Sequence, residues 1–247
     1  MTDDAGERYF ESLWSWSESI ANAQPTAARD YRIGDDEVRI LFCDERIEQA
    51  IFRPFAHLLC ESRNPALSVR AFDAASCQSP PPVPDWNANP VIQHSRILSL
   101  CTGAITLLYE QHLRTLSALD ANSGRAVFVA MDAVGLPLWE RAAPLRGLLS
   151  AWFASRGMVI AHAAALAVGD SAILLTGKGG SGKSTTALMA ATAGMEYLGD
   201  DWCLLHAGQS APARVSSLYS SAKLQWYSLH FVPPLATAHD NERRSQD

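Results

Sequence analysis

The chain has 247 residues, with 20 Lys and Arg against 26 Asp and Glu and a formal net charge of −6. A hydrophobic share of 48% and a charged share of 19% belong to a folded chain long enough to bury a core without staples. The acidic balance speaks against a general nucleic-acid surface, which needs clustered Lys and Arg.

In chain order, Glu7 to Ala23 predicts an amphipathic helix, with Tyr9, Phe10, Leu13, Trp14 and Ile20 in an apolar stripe and Pro25 ending it. Val38 to Phe42 reads as a strand. Glu45 to Leu59 reads as a helix that Pro54 kinks or splits. Leu67 to Phe72 alternates in polarity and reads as a strand. Ser79-Pro80-Pro81-Pro82-Val83-Pro84 cannot continue a helix or a central strand and is expected to be an exposed connector. Residues 96 to 117 hold two apolar runs, and Ala121-Asn122-Ser123-Gly124 marks a turn before a strand from Arg125 to Met131. A helix is expected from Pro144 to Ser155, capped by Gly157.

The pattern then changes. Met158 to Val168 reads as a strand, Gly169-Asp170 as a turn, and Ser171 to Thr176 as a buried strand. A helix from Lys183 to Ala193 is capped by Gly194, and a short strand from Glu196 to Leu198 ends in Gly199-Asp200-Asp201. The stretch from Met158 to Thr176 is apolar but interrupted by His162, Gly169 and Asp170, so a strand pair suits it better than a membrane span. Five cysteines without CxxC spacing suggest neither a zinc site nor a disulfide framework. They suit the reduced thiols of a cytoplasmic protein. The acidic start, Met1-Thr2-Asp3-Asp4, leads into no apolar run, and no signal peptide is expected.

Gly177-Lys178-Gly179-Gly180-Ser181-Gly182-Lys183-Ser184 fits GxxxxGK[ST], the phosphate-binding loop. Its glycines permit positive φ angles that turn successive amides inward, and those donors make an anion site at a helix N-terminus. ATP is the expected cofactor. Lys183 would reach the β- and γ-phosphates, Ser184 would ligate Mg²⁺, and Thr185 lies beside the site. Asp200-Asp201 follows 17 residues after Lys183 at a strand end, where such sites keep the acid that serves the metal. The second acid of the pair is then available to take a proton from a hydroxyl nucleophile. His162, alone in Ile160-Ala161-His162-Ala163-Ala164-Ala165, fits either a structural role or the site.

His162, a short turn, Leu174-Leu175-Thr176-Gly177, the GSGKST run and Leu198-Gly199-Asp200-Asp201 resemble the catalytic domain of HPr kinase/phosphorylase. The likeness is closer to relatives without the phosphorylase signature, including lasso-peptide-type serine kinases. It covers about Trp139 to Leu235, including Val215 to Leu224. The resemblance implies an α/β fold with an HPr kinase-like P-loop core (136–235); the elements read before it make an N-terminal α/β region (1–135), and the polar tail after it (236–247) is expected to be disordered. It implies ATP- and Mg²⁺-dependent transfer of the γ-phosphate to a serine of a protein or peptide partner. Residue by residue, Asp200 matches the general base, Asp201 its partner near the metal, and His162 the histidine before the loop. The glutamate and glycine-rich motif tied to phosphorylase activity does not occur in this sequence, so only the kinase direction is implied. Lys223 is expected either to meet a phosphate or an acidic peptide or to be an exposed structural residue.

The same loop supports two other readings. Lys178 makes it fit the KGGxGK[ST] variant of ParA/MinD-type ATPases, whose early lysine acts across a dimer, so a homo-oligomer stays open. A nucleotide-binding partner protein without catalysis is the third. No nucleic-acid or membrane partner is expected.

Overall fold

The computed structural model describes residues 3–23, 27–84, 92–208, 212–222 and 230–232. The expectations for Pro25, Lys223 and the tail from 236 lie outside these residues. The fold is mixed α/β, and the chain divides into two compact units, Met1–Met158 and Val159–Asp247.

The first unit opens with helix α1 (Asp3–Ala23), strands β1 (Ala27–Ile33) and β2 (Asp36–Phe42), and helix α2 (Glu45–Ile51). The Asp44 side chain caps α2 by accepting from the Ile47 amide at 3.0 Å. The expected helix over 45–59 is split. Pro54 has no amide proton to donate, and the chain continues as a 3₁₀ turn (Arg53–Leu58) before β3 (Leu59–Cys60). Next come β4 (Leu67–Asp73), β5 (Ile92–Gln93), β6 (Arg96–Ile97), β7 (Ile105–Glu110), β8 (Thr115–Asp120) and β9 (Arg125–Ala130). Helices α3 (Leu138–Ala142) and α4 (Arg146–Ser155) complete the unit.

Among the described residues, one sheet runs in the order β3-β1-β2-β4-β9-β8-β7-β6-β5. It is parallel at β2–β4 and β4–β9 and antiparallel elsewhere, as with β7–β8–β9. The two faces follow the period of 2 along the strands. Ile105, Leu107, Leu116, Ala118, Val127 and Val129 form one face and pack on Phe10, Leu13, Trp16 and Ile20 of α1. Phe72 joins this core with its ring 4.8 Å from that of Trp16. Helix α4 contacts β7 and β8 and buries Leu148, Leu149 and Phe153. Its Trp152 Nε1 donates to the buried Asp36 at 2.9 Å, and Arg156 pairs with the same carboxylate at 2.8 Å.

The proline segment is more engaged than expected. Tyr9 and Trp16 of α1 donate to the carbonyls of Pro82 (2.9 Å) and Ser79 (3.3 Å), and Pro81 and Pro84 are buried. A chain without amide donors still offers carbonyl acceptors, and these strap it to α1.

Strand β10 (Met158–Ala161) leads into the second unit, which holds β11 (Ala164–Val168), β12 (Ser171–Leu175), α5 (Lys183–Thr192), β13 (Glu196–Gly199), β14 (Cys203–His206) and β15 (Arg214–Ser216). The expected single strand 158–168 is broken at His162-Ala163 into β10 and β11, which belong to different three-stranded sheets. One has the order β10-β14-β15 and the other β12-β11-β13. Strand β12 corrects the expectation of burial: it is an edge strand, with Ile173 51% and Leu174 39% exposed. Gly157 and Gly194 sit just past the ends of α4 and α5 with φ of 73° and 99°, the left-handed stops read from the sequence. Among the described residues no helix is long and apolar enough to cross a membrane.

Candidate functional site

The β12-β11-β13 sheet gathers the candidate residues by topology. Strand β11 lies between β12 and β13 and is antiparallel to both, so β12 and β13 run in the same direction. The glycine loop after β12 and the paired acids after β13 therefore leave the sheet at one edge, and the His162 turn enters β11 at that same edge. The register makes this concrete. Ala164 pairs with Leu175 and Ala165 with Gly199, so His162, Gly177 and Asp200 each lie within two residues of that edge. With strands about 4.8 Å apart, β12 and β13 are separated by about 10 Å across β11.

The chain from Gly177 to Gly182 turns on glycines. A side chain at Gly177 (φ 150°) would put its Cβ 2.8 Å from Ser181 Oγ, so a larger residue there would have to displace the Ser181 side chain. Gly182 has φ 88°, with open space where a Cβ would point, and it starts α5. The first α5 amide with an intrahelical acceptor is that of Thr186, which donates to Gly182 O at 2.9 Å. The amides of Lys183, Ser184 and Thr185 precede it and belong to the unbonded first turn of a helix, the positive end of its dipole. The Ser181 amide is already used, donating to Lys178 O at 3.1 Å. Lys183 Nζ donates to Gly177 O at 2.9 Å and Lys178 O at 3.3 Å, folding back over the loop. The Lys178 side chain enters no ion pair among the described residues, whereas its carbonyl helps to hold the loop.

The paired acids differ sharply. Asp200 is buried, at 1% exposure, while the Asp201 side chain is 43% exposed. Asp201 has φ 70°, a left-handed backbone that reverses the chain just after β13, where the Trp202 amide donates to Asp200 O at 2.9 Å. That reversal aims Asp201 Oδ1 at His162 Nε2, 2.7 Å away, and the His162 ring stacks on Trp202 with centroids 4.9 Å apart. Asp201, expected as a metal ligand, is thus also the partner of His162. Buried Cys203 donates its thiol to Ala163 O at 3.1 Å and ties β14 to the His162 turn. Burial first, then the nearby Asp200, pushes this thiol up to about 12. Burial also raises the Tyr197 phenol, with Asp200 and Asp201 adding to the effect.

The sequence missed Trp202 as the stacking support of His162 and Cys203 as the tether of its turn. The signal available was their position directly after the paired acids.

The loop fits a triphosphate on three observations: positive-φ glycines open to solvent, a cationic Nζ over the loop, and unbonded first-turn amides. Ser184 in that turn and the Asp201 oxygen not used by His162 are suitable donors for a hard cation. Compared with family models and with curated proteins, the chain matches neither.

Proposed function

We propose that this protein is a P-loop kinase of the HPr kinase-like type, which binds ATP and Mg²⁺ on residues Gly177 to Thr185 and transfers the γ-phosphate to a serine hydroxyl of a protein or peptide. What carries the reading is the convergence at one sheet edge of the glycine loop, the paired acids and His162, three features separate in the sequence.

Bound ATP and Mg²⁺ supply the phosphoryl group and the cation that neutralises its charge. The chain's own residues do the rest. The amides of the α5 first turn and Lys183 hold phosphate oxygens, with Lys183 exchanging its two carbonyl acceptors for them. Ser184 and Asp201 hold the cation. His162 holds Asp201 Oδ1 and leaves Oδ2 outside that contact. Asp200, buried at the strand end, takes the proton of the serine hydroxyl.

The test uses the purified full chain, [γ-³²P]ATP with Mg²⁺, and casein and a serine-containing peptide library as acceptors. Label on serine, lost in Asp200→Asn while calorimetry still detects ATP binding, supports the reading. ATP binding without transfer to any acceptor overturns the kinase half and leaves a nucleotide-binding partner protein. Absence of ATP binding at millimolar concentration overturns both halves.

A further inference from the structure

Beneath α3 and α4, in the first unit and on the sheet face opposite α1, lies a small cavity of about 70 Å³. Its floor consists of cross-strand neighbours. Leu108, Ser117 and Phe128 are in register on β7, β8 and β9, and Glu110 faces Thr115. Its roof holds Glu140 and Trp139 of α3 with Arg146 and Gly147 of α4.

The chemistry of this lining is unusual for a core. Glu140, Thr115 and Ser117 are 7%, 3% and 8% exposed. No side chain among the described residues gives any of the three a hydrogen bond, although all three border the cavity. A carboxyl and two hydroxyls that border a small cavity, with no hydrogen bond from a neighbouring side chain, are groups that native structures satisfy with water or a ligand.

We propose that this cavity is a binding site for a primary ammonium group, received by the Glu140 carboxylate and the Ser117 and Thr115 hydroxyls. An ammonium carries three donors and no acceptor, which matches three oxygen acceptors around one space. Water takes about 30 Å³ in the liquid, so the volume admits the last two heavy atoms of an aminoalkyl chain. Leu108, Leu113 and Leu145 suit the methylene behind the head, and the half-exposed Trp139 offers a ring face to a cation entering past it. Three charged side chains border the space: Glu110 from β7, Glu140 from α3 and Arg146 from α4. Two acids against one base leave a net attraction for a cation. The site is independent of the kinase reading.

Burial, opposed by Arg146 and reinforced by Glu110, raises Glu140 to about 7. Affinity for an ammonium therefore rises with pH as the carboxyl ionises, by about tenfold from pH 6 to pH 8.

The test titrates the full chain with n-butylammonium chloride, using n-butanol as the neutral control, by calorimetry at fixed ionic strength. Saturable binding that strengthens from pH 6 to pH 8, falls at least tenfold in Glu140→Gln and falls severalfold in Ser117→Val supports the site. Equal binding of n-butanol, unchanged binding in Glu140→Gln, or no saturable heat in a folded protein overturns it and leaves a water-filled cavity. If Nα-acetyl-lysine N-methylamide binds more tightly than n-butylammonium, a protein lysine is the natural source of the ammonium; if it binds more weakly, a free amine is.

Discussion

In the first unit, Phe10, Phe42, Phe55, Phe72 and Phe153 are each at most 1% exposed, and a wide sheet is covered by helices. Around α5 in the second unit the buried cluster among the described residues is Ala164, Leu166 and Ala187, with Cys203, Leu204, Leu218 and Tyr219 buried elsewhere in that unit. Its leading strand β12 shows apolar side chains to solvent. A groove of about 580 Å³ also opens along Ala167, Ala172, Leu174, Leu198, Leu205 and Val215. Large aromatic side chains stabilise the first unit by area removed from water. The second spends its sequence on glycines, turns and paired acids, which add little burial but fix backbone direction at one sheet edge. The contrast separates where the large aromatic burial lies from where the proposed chemistry lies.

The largest expected effect tests the chemical side. On the proposed kinase reading, Asp200→Asn should lower phosphoryl transfer by about 10²–10⁴-fold with ATP affinity retained, read as initial rates beside calorimetry. Normal transfer in this variant would remove Asp200 from the role of base.

Next is the packing side. Phe72→Ala leaves a hole beside Trp16 and should cost about 4 kcal/mol, measured by urea unfolding of the first unit's tryptophan signal. A cost below about 1 kcal/mol would break the contrast, because the first unit would then not depend on its aromatic core.

Glu140→Gln acts in the same unit through charge. The folded-state carboxyl lies near 7, above its ordinary 4.5, so folding favours the protonated form. Its contribution is intact below pH 4.5 and is lost as pH rises to 7, by about 3 kcal/mol in all. The amide should therefore raise stability at pH 8 by an amount of that order and change little at pH 4. The same gain at both pH values would exclude ionisation as the cause.

The smallest effect belongs to β12. Ile173→Thr, at a half-exposed edge position, should change stability by less than about 0.5 kcal/mol. A loss of about 2 kcal/mol would mean that β12 is covered in solution.

Features that depend on local backbone geometry were legible in the sequence. Gly157, Gly182 and Gly194 take the left-handed angles their positions require, and Pro54 ends α2 where the missing amide predicts. Features that depend on what lies opposite were not. An apolar run such as Ile173-Leu174-Leu175 reads the same whether its faces are covered or open. Strand β1 went unread because Arg29, Asp30 and Arg32 look like loop chemistry. In the fold they pair with Glu48, Arg39 and Glu37. Thr115 and Ser117 alternate with apolar neighbours as a solvent face would, yet α3 and α4 cover them. At the candidate site the loop and the acids were visible as motifs, while the His162–Asp201 contact depends on a chain reversal that no spacing encodes.

That reversal limits which substitutions residue 201 can accept. At φ 70° a β-branched or long side chain is strained, whereas glycine and asparagine sit comfortably. In a saturation library selected only for folding, position 201 should be enriched in glycine and asparagine and should reject valine and isoleucine. Selection that also requires the contact with His162 should shift the survivors to aspartate, with asparagine second. Glutamate, which keeps the charge but not the short reach, should survive neither screen well.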